Sequence, residues 1–219
     1  MIEEIKSIDL GNVNCYLIKT DSGFLLIDTG FANNRSILEK ELNQSGVNSQ
    51  NLKLVVLTHG DIDHSGNCAF LQQKYSVKIA MHRGDMDMAE SGLFAGNRKV
   101  KSILLKTVQA LFKPMFTKMM AGFERFKPDL FMEKGQSLKE FGLDAVVLHT
   151  PGHTHGSICI LTANGNLIAG DIFQNRGKPH VSAIVSNETE LAASVERLKG
   201  LNIKTIYPGH GKIFQMSRL

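Results

Sequence analysis

The 219-residue chain is 42% hydrophobic and 21% charged, a balance that excludes disordered, collagen-like and coiled-coil classes and leaves ample material for a buried core. Its net charge of +4 is uneven, because the window from Gly96 to Lys127 carries eight basic residues against the single acid Glu124. The basic character therefore belongs to one segment and is poor support for a nucleic-acid-binding protein. At this length one domain spanning residues 1–219 is expected. No apolar run approaches the roughly 18 residues of a membrane span. Glu3 and Glu4 stand where a secretory signal would be basic, so a cytoplasmic location is expected. Cys15, Cys68 and Cys159 are scattered and odd in number, and read as reduced, buried thiols.

Val13–Lys19, the turn Asp21-Ser22-Gly23 and Phe24–Ile27 read as a β-hairpin. A helix over Ser36–Leu42 follows, with Gly46 as its stop. The continuous apolar run Leu52–Leu57 marks a strand covered on both faces. His64–Tyr75 reads as a helix and Val77–Ala80 as a strand, so the first third alternates strands with helices and predicts layered α/β packing. Between about Gly84 and Phe126 the pattern changes to a wide helical stripe of Leu, Phe and Met, interrupted by Pro114, and two helices are expected there. Strands return at Val146–His149, Ser157–Leu161 and Leu167–Ala169. Glu188–Lys199 then forms a helix capped by Asn187 or Ser186, and Thr205–Tyr207 is a last strand.

The chemistry concentrates at strand ends. Directly after Leu52–Leu57 comes Thr58-His59-Gly60-Asp61-Ile62-Asp63-His64, with four potential metal ligands in six positions. Two imidazoles and two carboxylates suit zinc, iron or manganese, whereas thiolates would point to structural zinc. His153, Asp171 and His210 occupy comparable junctions in Pro151-Gly152-His153, Gly170-Asp171 and Pro208-Gly209-His210, each beside a glycine that lets backbone approach closely. Of the other histidines, His149 reads as a structural residue, His155 as a candidate substrate or supporting group, His180 as a candidate pocket residue, and His82, after the strand Val77–Ala80, as a residue without a functional role. Asp28-Thr29-Gly30 mimics the aspartic-protease signature, but a second copy is lacking.

Leu26-Ile27-Asp28-Thr29-Gly30, the His59–His64 cluster, Pro151-Gly152-His153, Ala169-Gly170-Asp171 and Pro208-Gly209-His210 together resemble the metallo-β-lactamase-fold superfamily of metallohydrolases, in the family's order and over most of the chain. The resemblance implies a four-layer αββα sandwich and a dinuclear site. In it His59, Asp61 and His153 would hold a first metal; Asp63, His64 and His210 a second; and Asp171 would bridge both. Asp28 would support the metal-binding loops, and Asp63 would orient the attacking water and shuttle its proton. One departure is Asp61, where the common motif has a histidine; its harder oxygen donor favours iron or manganese relative to an all-histidine site. Two divalent cations are thus expected, zinc first, with iron or manganese as alternatives.

The function these residues imply is hydrolysis of a small ester-like substrate: a lactone, thioester or phosphodiester. The alternatives are an iron-dependent oxidoreductase or dioxygenase on the same fold, and a catalytically weak ligand-binding homologue. A glyoxalase II-type enzyme would carry a C-terminal helical substrate domain, and nine residues follow His210 here. The basic Phe/Met-rich insert at about 84–126 admits three roles: a helical lid, a homodimer interface, or contact with a membrane surface without insertion. Its composition suits a small-molecule substrate with a hydrophobic part, and no nucleic-acid partner is expected.

Overall fold

The structure, a computed structural model, describes residues 4–92, 99–100 and 122–219. Strands β1 (Glu4–Asp9), β2 (Asn14–Thr20) and β3 (Gly23–Ile27) form an antiparallel meander. After helix α1 (Arg35–Gln44), strand β4 (Leu52–Val56) joins β3 in parallel. Short helix α2 (Ile62–Ser65) and α3 (Cys68–Tyr75) lead to β5 (Ile79–Met81), parallel to β4. Helix α4 (Met86–Ser91), the two-residue β6 (Lys99–Val100) and β7 (Leu130–Phe131) follow, with β7 closing a sheet ordered β1-β2-β3-β4-β5-β7. The second sheet contains β8 (Ala145–His149), β9 (Ile158–Thr162), β10 (Asn166–Asn175), β13 (Thr205–Gly211) and β14 (Phe214–Gln215), with β11 (His180–Val181) added to β10. Between β11 and β13 lie β12 (Ile184–Val185), paired with β6, and helix α5 (Glu188–Lys199).

Side-chain alternation along these strands separates three apolar layers. Ile18, Leu25, Leu54 and Val56 of the first sheet meet Val147, Ile160 and Ile168 of the second. On the other face of the first sheet, Leu17, Leu26, Val55 and Leu57 pack with Leu38 and Leu42 of α1 and Leu71 of α3. On the other face of the second, Leu167 and Ile206 pack with Leu191, Val195 and Leu198 of α5. Helices therefore cover both outer faces of two apposed sheets, the αββα arrangement expected. The apolar run of β4 follows from its place between two of these layers. Among the described residues no helix is long and apolar enough to cross a membrane.

Three local differences from the sequence reading bear on the site. The helix expected over His64–Tyr75 is two helices, because Asn67 turns its hydrogen-bonding capacity to the loop after β3. Its amide donates to Thr29 Oγ1 (3.1 Å) and its side chain to the carbonyls of Thr29 (2.7 Å) and Phe31 (2.8 Å). Strand β10 continues well past Ala169, shifting register at Gly170. Asp171 thus sits on a bulged strand, where bulges re-aim side chains, and not in a loop. His210 likewise lies within β13. The helical pair expected around Pro114 falls largely outside the described residues. Asn187 caps α5 as expected, accepting from the amides of Thr189 (3.0 Å) and Glu190 (3.2 Å).

Candidate metal centre

Every sequence-predicted ligand converges on one place, just after β4 and β8, at the bulge of β10 and near the end of β13. Three overlapping groups have ligand atoms within 4.8 Å of one another: His59, Asp61 and His153; Asp63, His64 and His210; and His59, His64 and Asp171. In the first trio, Asp61 Oδ2 lies 3.2 Å from the Nε2 atoms of both His59 and His153. In the second, Asp63 Oδ2 is 3.3 Å from His210 Nε2 and 3.8 Å from His64 Nε2. Asp171 reaches both sets, at 3.4 Å from His64, 3.1 Å from His210 and 3.8 Å from His153. Six of the seven side chains are at least nine-tenths buried or nearly so, while Asp63 is 23% exposed and faces solvent.

All four imidazoles use the same orientation. His64 Nδ1 donates to Asp28 Oδ2 (2.8 Å), His153 Nδ1 to the Ile184 carbonyl (2.7 Å), His59 Nδ1 to Thr58 Oγ1 (3.0 Å), and His210 Nδ1 to the Asn12 carbonyl. Each ring is thereby fixed with Nε2 aimed inward, the arrangement that orients metal-ligating histidines. His59 Nε2, His64 Nε2 and Asp171 Oδ1 are buried without any hydrogen-bond partner. Burying such atoms unsatisfied is costly, and a cation between them would remove the cost. The donor set therefore fits divalent metal.

Neighbouring strands brace this centre. Asp28, left-handed at φ 60°, accepts from the Thr58 amide and hydroxyl, both at 2.8 Å, as well as from His64. Tyr16 Oη and Asn14 Nδ2 donate to the Pro208 carbonyl (2.7 and 3.0 Å), tying the first sheet to the strand of His210. Gly209 must lack a side chain, since a Cβ there would stand 2.3 Å from Asp171 Oδ1 and 2.8 Å from His64 Cε1.

The remaining histidines stay outside the cluster. His155 is 70% exposed, with Nδ1 3.9 Å from Glu190. His180 is exposed and donates to the Lys178 carbonyl. His149 closes β8 and donates from Nε2 to the His155 carbonyl (2.9 Å), the structural role expected, while its ring stacks on His82 at 3.9 Å. The three cysteines are buried and reduced, and burial pushes Cys159 up to about 12, so that thiol is no nucleophile at neutral pH. The sequence reading missed Asp85, a buried carboxylate just after β5. Gly84-Asp85 follows β5 as His59 and Asp61 follow β4, but nothing local in the sequence reveals its partners.

The charges are tightly coupled. Burial alone would push His210 down, but Asp171, helped by Asp63, outweighs it and raises His210 to about 9. His64 is raised for the same reason by Asp28, Asp63 and Asp171, against its own burial. Burial would raise Asp171, yet His210 and His64 hold it well below the usual carboxylate range. For the metal-free protein the sign follows directly. Protonated His210 contributes stability that is fully present below its unfolded value near 6.5 and is lost as pH rises through about 9. The thermal midpoint of metal-free protein should therefore fall between pH 6.5 and 9, by an amount corresponding to on the order of 3 kcal/mol. A midpoint that is flat or rising over that window contradicts the pairing.

A sequence profile of the metallo-β-lactamase superfamily matches residues 8–210. The chain belongs to that superfamily. Its enzyme class is accordingly that of the metal-dependent hydrolases, a class whose members bind divalent metal ions. A probable metallo-hydrolase of Methanocaldococcus jannaschii is 27% identical over 207 residues, covering 91% of this chain and 88% of that protein. The hydroxyacylglutathione hydrolase GloC of Haemophilus influenzae is 30% identical over 158 residues, 71% of this chain and 63% of that protein. In three dimensions, a metallo-β-lactamase family protein of Thermus thermophilus superposes with a TM-score of 0.74 at 24% identity, over 99% of this chain and 75% of its own. Superfamily membership accounts for the αββα layers.

Proposed function

We propose that this chain is a dinuclear metallohydrolase acting on a small ester-like substrate, a thioester first, with lactones and phosphodiesters as the neighbouring candidates. The observation that carries the reading is the union of two His/Asp trios through Asp171, with His59 Nε2, His64 Nε2 and Asp171 Oδ1 buried inside it without a hydrogen-bond partner. The name of the Haemophilus relative, a hydroxyacylglutathione hydrolase, favours the thioester. Divalent cations held there would lower the pKa of a water towards neutrality and stabilise charge developing on the scissile group. His59, Asp61 and His153 would hold one ion, Asp63, His64 and His210 the other, and Asp171 would serve both.

The chain's own residues supply orientation and proton transfer. Asp63 is the solvent-facing carboxylate of the cluster, and it accepts the proton of the attacking water. As the new C–O bond forms and the bond to the leaving group breaks, that proton passes to the leaving thiolate or alkoxide. Burial around the other six side chains limits competing water and strengthens each electrostatic contact.

The test begins with elemental analysis of protein purified without added metal or chelator. Close to two divalent ions per chain is expected. Zinc supports the hydrolase directly, whereas iron or manganese would show that the oxygen donor of Asp61 has changed the preference and would move oxygen-dependent assays forward. Fewer than one ion per chain, persisting after reconstitution, would sink the dinuclear reading. Asp63→Asn should keep its metal while kcat towards a thioester falls by about 10²–10⁴-fold. Full activity with metal still bound would remove Asp63 from proton transfer.

A further inference from the structure

Asp85 lies on the turn between β5 and α4, is 2% exposed, and touches none of the seven cluster residues by hydrogen bond. Its carboxylate accepts three bonds, all from other parts of the chain. Oδ2 takes the Gly60 amide (2.9 Å) and the Thr154 hydroxyl (2.7 Å), and Oδ1 takes the Gly156 amide (2.8 Å). Gly60 stands between His59 and Asp61, and Thr154 directly follows His153. One buried carboxylate thus fastens together the two turns that carry the whole first trio. Asp28 does the corresponding work for Thr58 and His64 on the other side of the centre.

The fit around Asp85 is close enough to hold that spacing. A Cβ on Gly60 would stand 3.0 Å from Asp85 Cβ, and one on Gly156 would stand 2.6 Å from Asp85 Cγ. With backbone pressed against it on both sides, the side chain keeps a single position. A second contact ties the turn that carries Asp85 to the one that follows His153. His82 Nδ1 accepts the Gly84 amide (3.1 Å), the His82 ring stacks on His149, and His149 donates to the His155 carbonyl (2.9 Å). Charge-assisted bonds to backbone amides are stronger than neutral ones, so the ionised carboxylate suits this task and an amide does not. Asparagine at 85 would aim its NH₂ at either Gly156 N–H or the Gly60 N–H and Thr154 hydroxyl pair, setting donor against donor on one turn.

We infer that Asp85 is a positioning residue for the first trio: it sets the distance from His59 and Asp61 to His153, and through that distance the affinity of this half of the centre for a cation. The inference rests on the metal-centre reading above. Since the second trio is held by Asp28 and β13, the effect is confined to one of the two sites, which separates positioning from a general contribution to folding.

The experiment titrates metal-free protein with cobalt(II) alone and follows its visible absorption. Asp61→Asn and His210→Gln serve as references that mark the bands of the first and second trios. Wild type should take two cobalt ions per chain. Asp85→Asn should bind at the first trio about 10–100-fold more weakly, with the second trio changed less than about threefold. In the metal-free variant, amide hydrogen exchange at Gly60 and Gly156 should speed up while that of Thr58 does not. Equal losses at both trios, or no loss at the first, overturn the inference while leaving the metal-centre reading intact. A wild type that takes no cobalt overturns both. Should Asp85→Asn fail to fold, Thr154→Val removes one of the three donors and keeps the carboxylate. It should weaken the first trio alone by about three- to tenfold, and an unchanged first trio again overturns the inference.

Discussion

Asp171→Asn is expected to lower kcat/KM by about 10³-fold or more and to cut bound metal from two ions per chain to one or none. The reason is position and charge together. Asp171 lies within 3.8 Å of ligand nitrogens from both trios, and its charge holds His64 and His210 in place. Asparagine keeps the volume, so the bulge at Gly170 and the close approach of Gly209 survive. Gln174 Nε2 already donates to Asp171 Oδ2 (3.1 Å), and an amide at 171 would turn its oxygen to that bond. Its NH₂ would then face His64 Nε2, placing a donor where a lone pair is needed. Metal content and single-substrate kinetics on the same preparation decide the matter. Two ions per chain with activity within tenfold of wild type would show that Asp171 does not link the two trios.

The same change should act on the metal-free protein in the opposite way to loss of a core contact. Without Asp171, the principal cause of the raised His210 value is gone, and the fall in thermal midpoint between pH 6.5 and 9 should flatten. One substitution therefore reports twice, on metal retention and on the pH dependence of stability.

Much of the centre is legible in the sequence because its ligands are local. His59, Asp61, Asp63 and His64 share one loop after an apolar strand, and His153, Asp171 and His210 each carry a glycine at the preceding position. Strand β4 is legible for a related reason: burial on both faces leaves a continuous apolar run. What the sequence hides is long-range. Strand β1, with Glu4, Lys6, Ser7 and Asp9, pairs along its whole length with β2, yet its polar outer face hides it among turn residues. The extension of β10 beyond Ala169 depends on pairing with β13 some forty residues away, across two register shifts. The helix break at Asn67 is set by hydrogen bonds to Thr29 and Phe31, which no local propensity encodes. Asp85 escapes notice because its partners are two backbone amides and a hydroxyl, on residues 25 to 71 positions away. Ligands announce themselves by residue type; the groups that hold ligands in place do so only through tertiary contact.

Asp28 offers the sharper test of that distinction, because it supports the centre from behind, through His64 and Thr58, and is not itself one of the seven candidate ligands. Asp28→Asn is expected to lower activity by about 10³–10⁴-fold, by the wrong-tautomer route known when a buried aspartate behind a histidine becomes an amide. Asn tolerates the left-handed φ of 60° at this position, so the backbone need not move. The hydrogen bonds cannot all be kept. Asp28 Oδ1 accepts the Thr58 amide, while Oδ2 accepts both the Thr58 hydroxyl and His64 Nδ1. An NH₂ group at the Oδ1 position opposes the Thr58 amide. At the Oδ2 position it can donate to the Thr58 oxygen once that hydroxyl turns away, but it opposes the His64 Nδ1 hydrogen unless Nδ1 gives up its proton, and the ring then carries hydrogen on Nε2, facing the cluster. Either outcome costs about 1–3 kcal/mol for an unsatisfied buried donor, and the second also closes His64 to a cation. Metal should accordingly be lost from the second trio first, the reverse of the order expected for Asp85→Asn. Thermal unfolding of the metal-free variant, beside metal counted per chain, reads the two effects separately. Retention of both ions and of activity within tenfold would mean that His64 is held without Asp28.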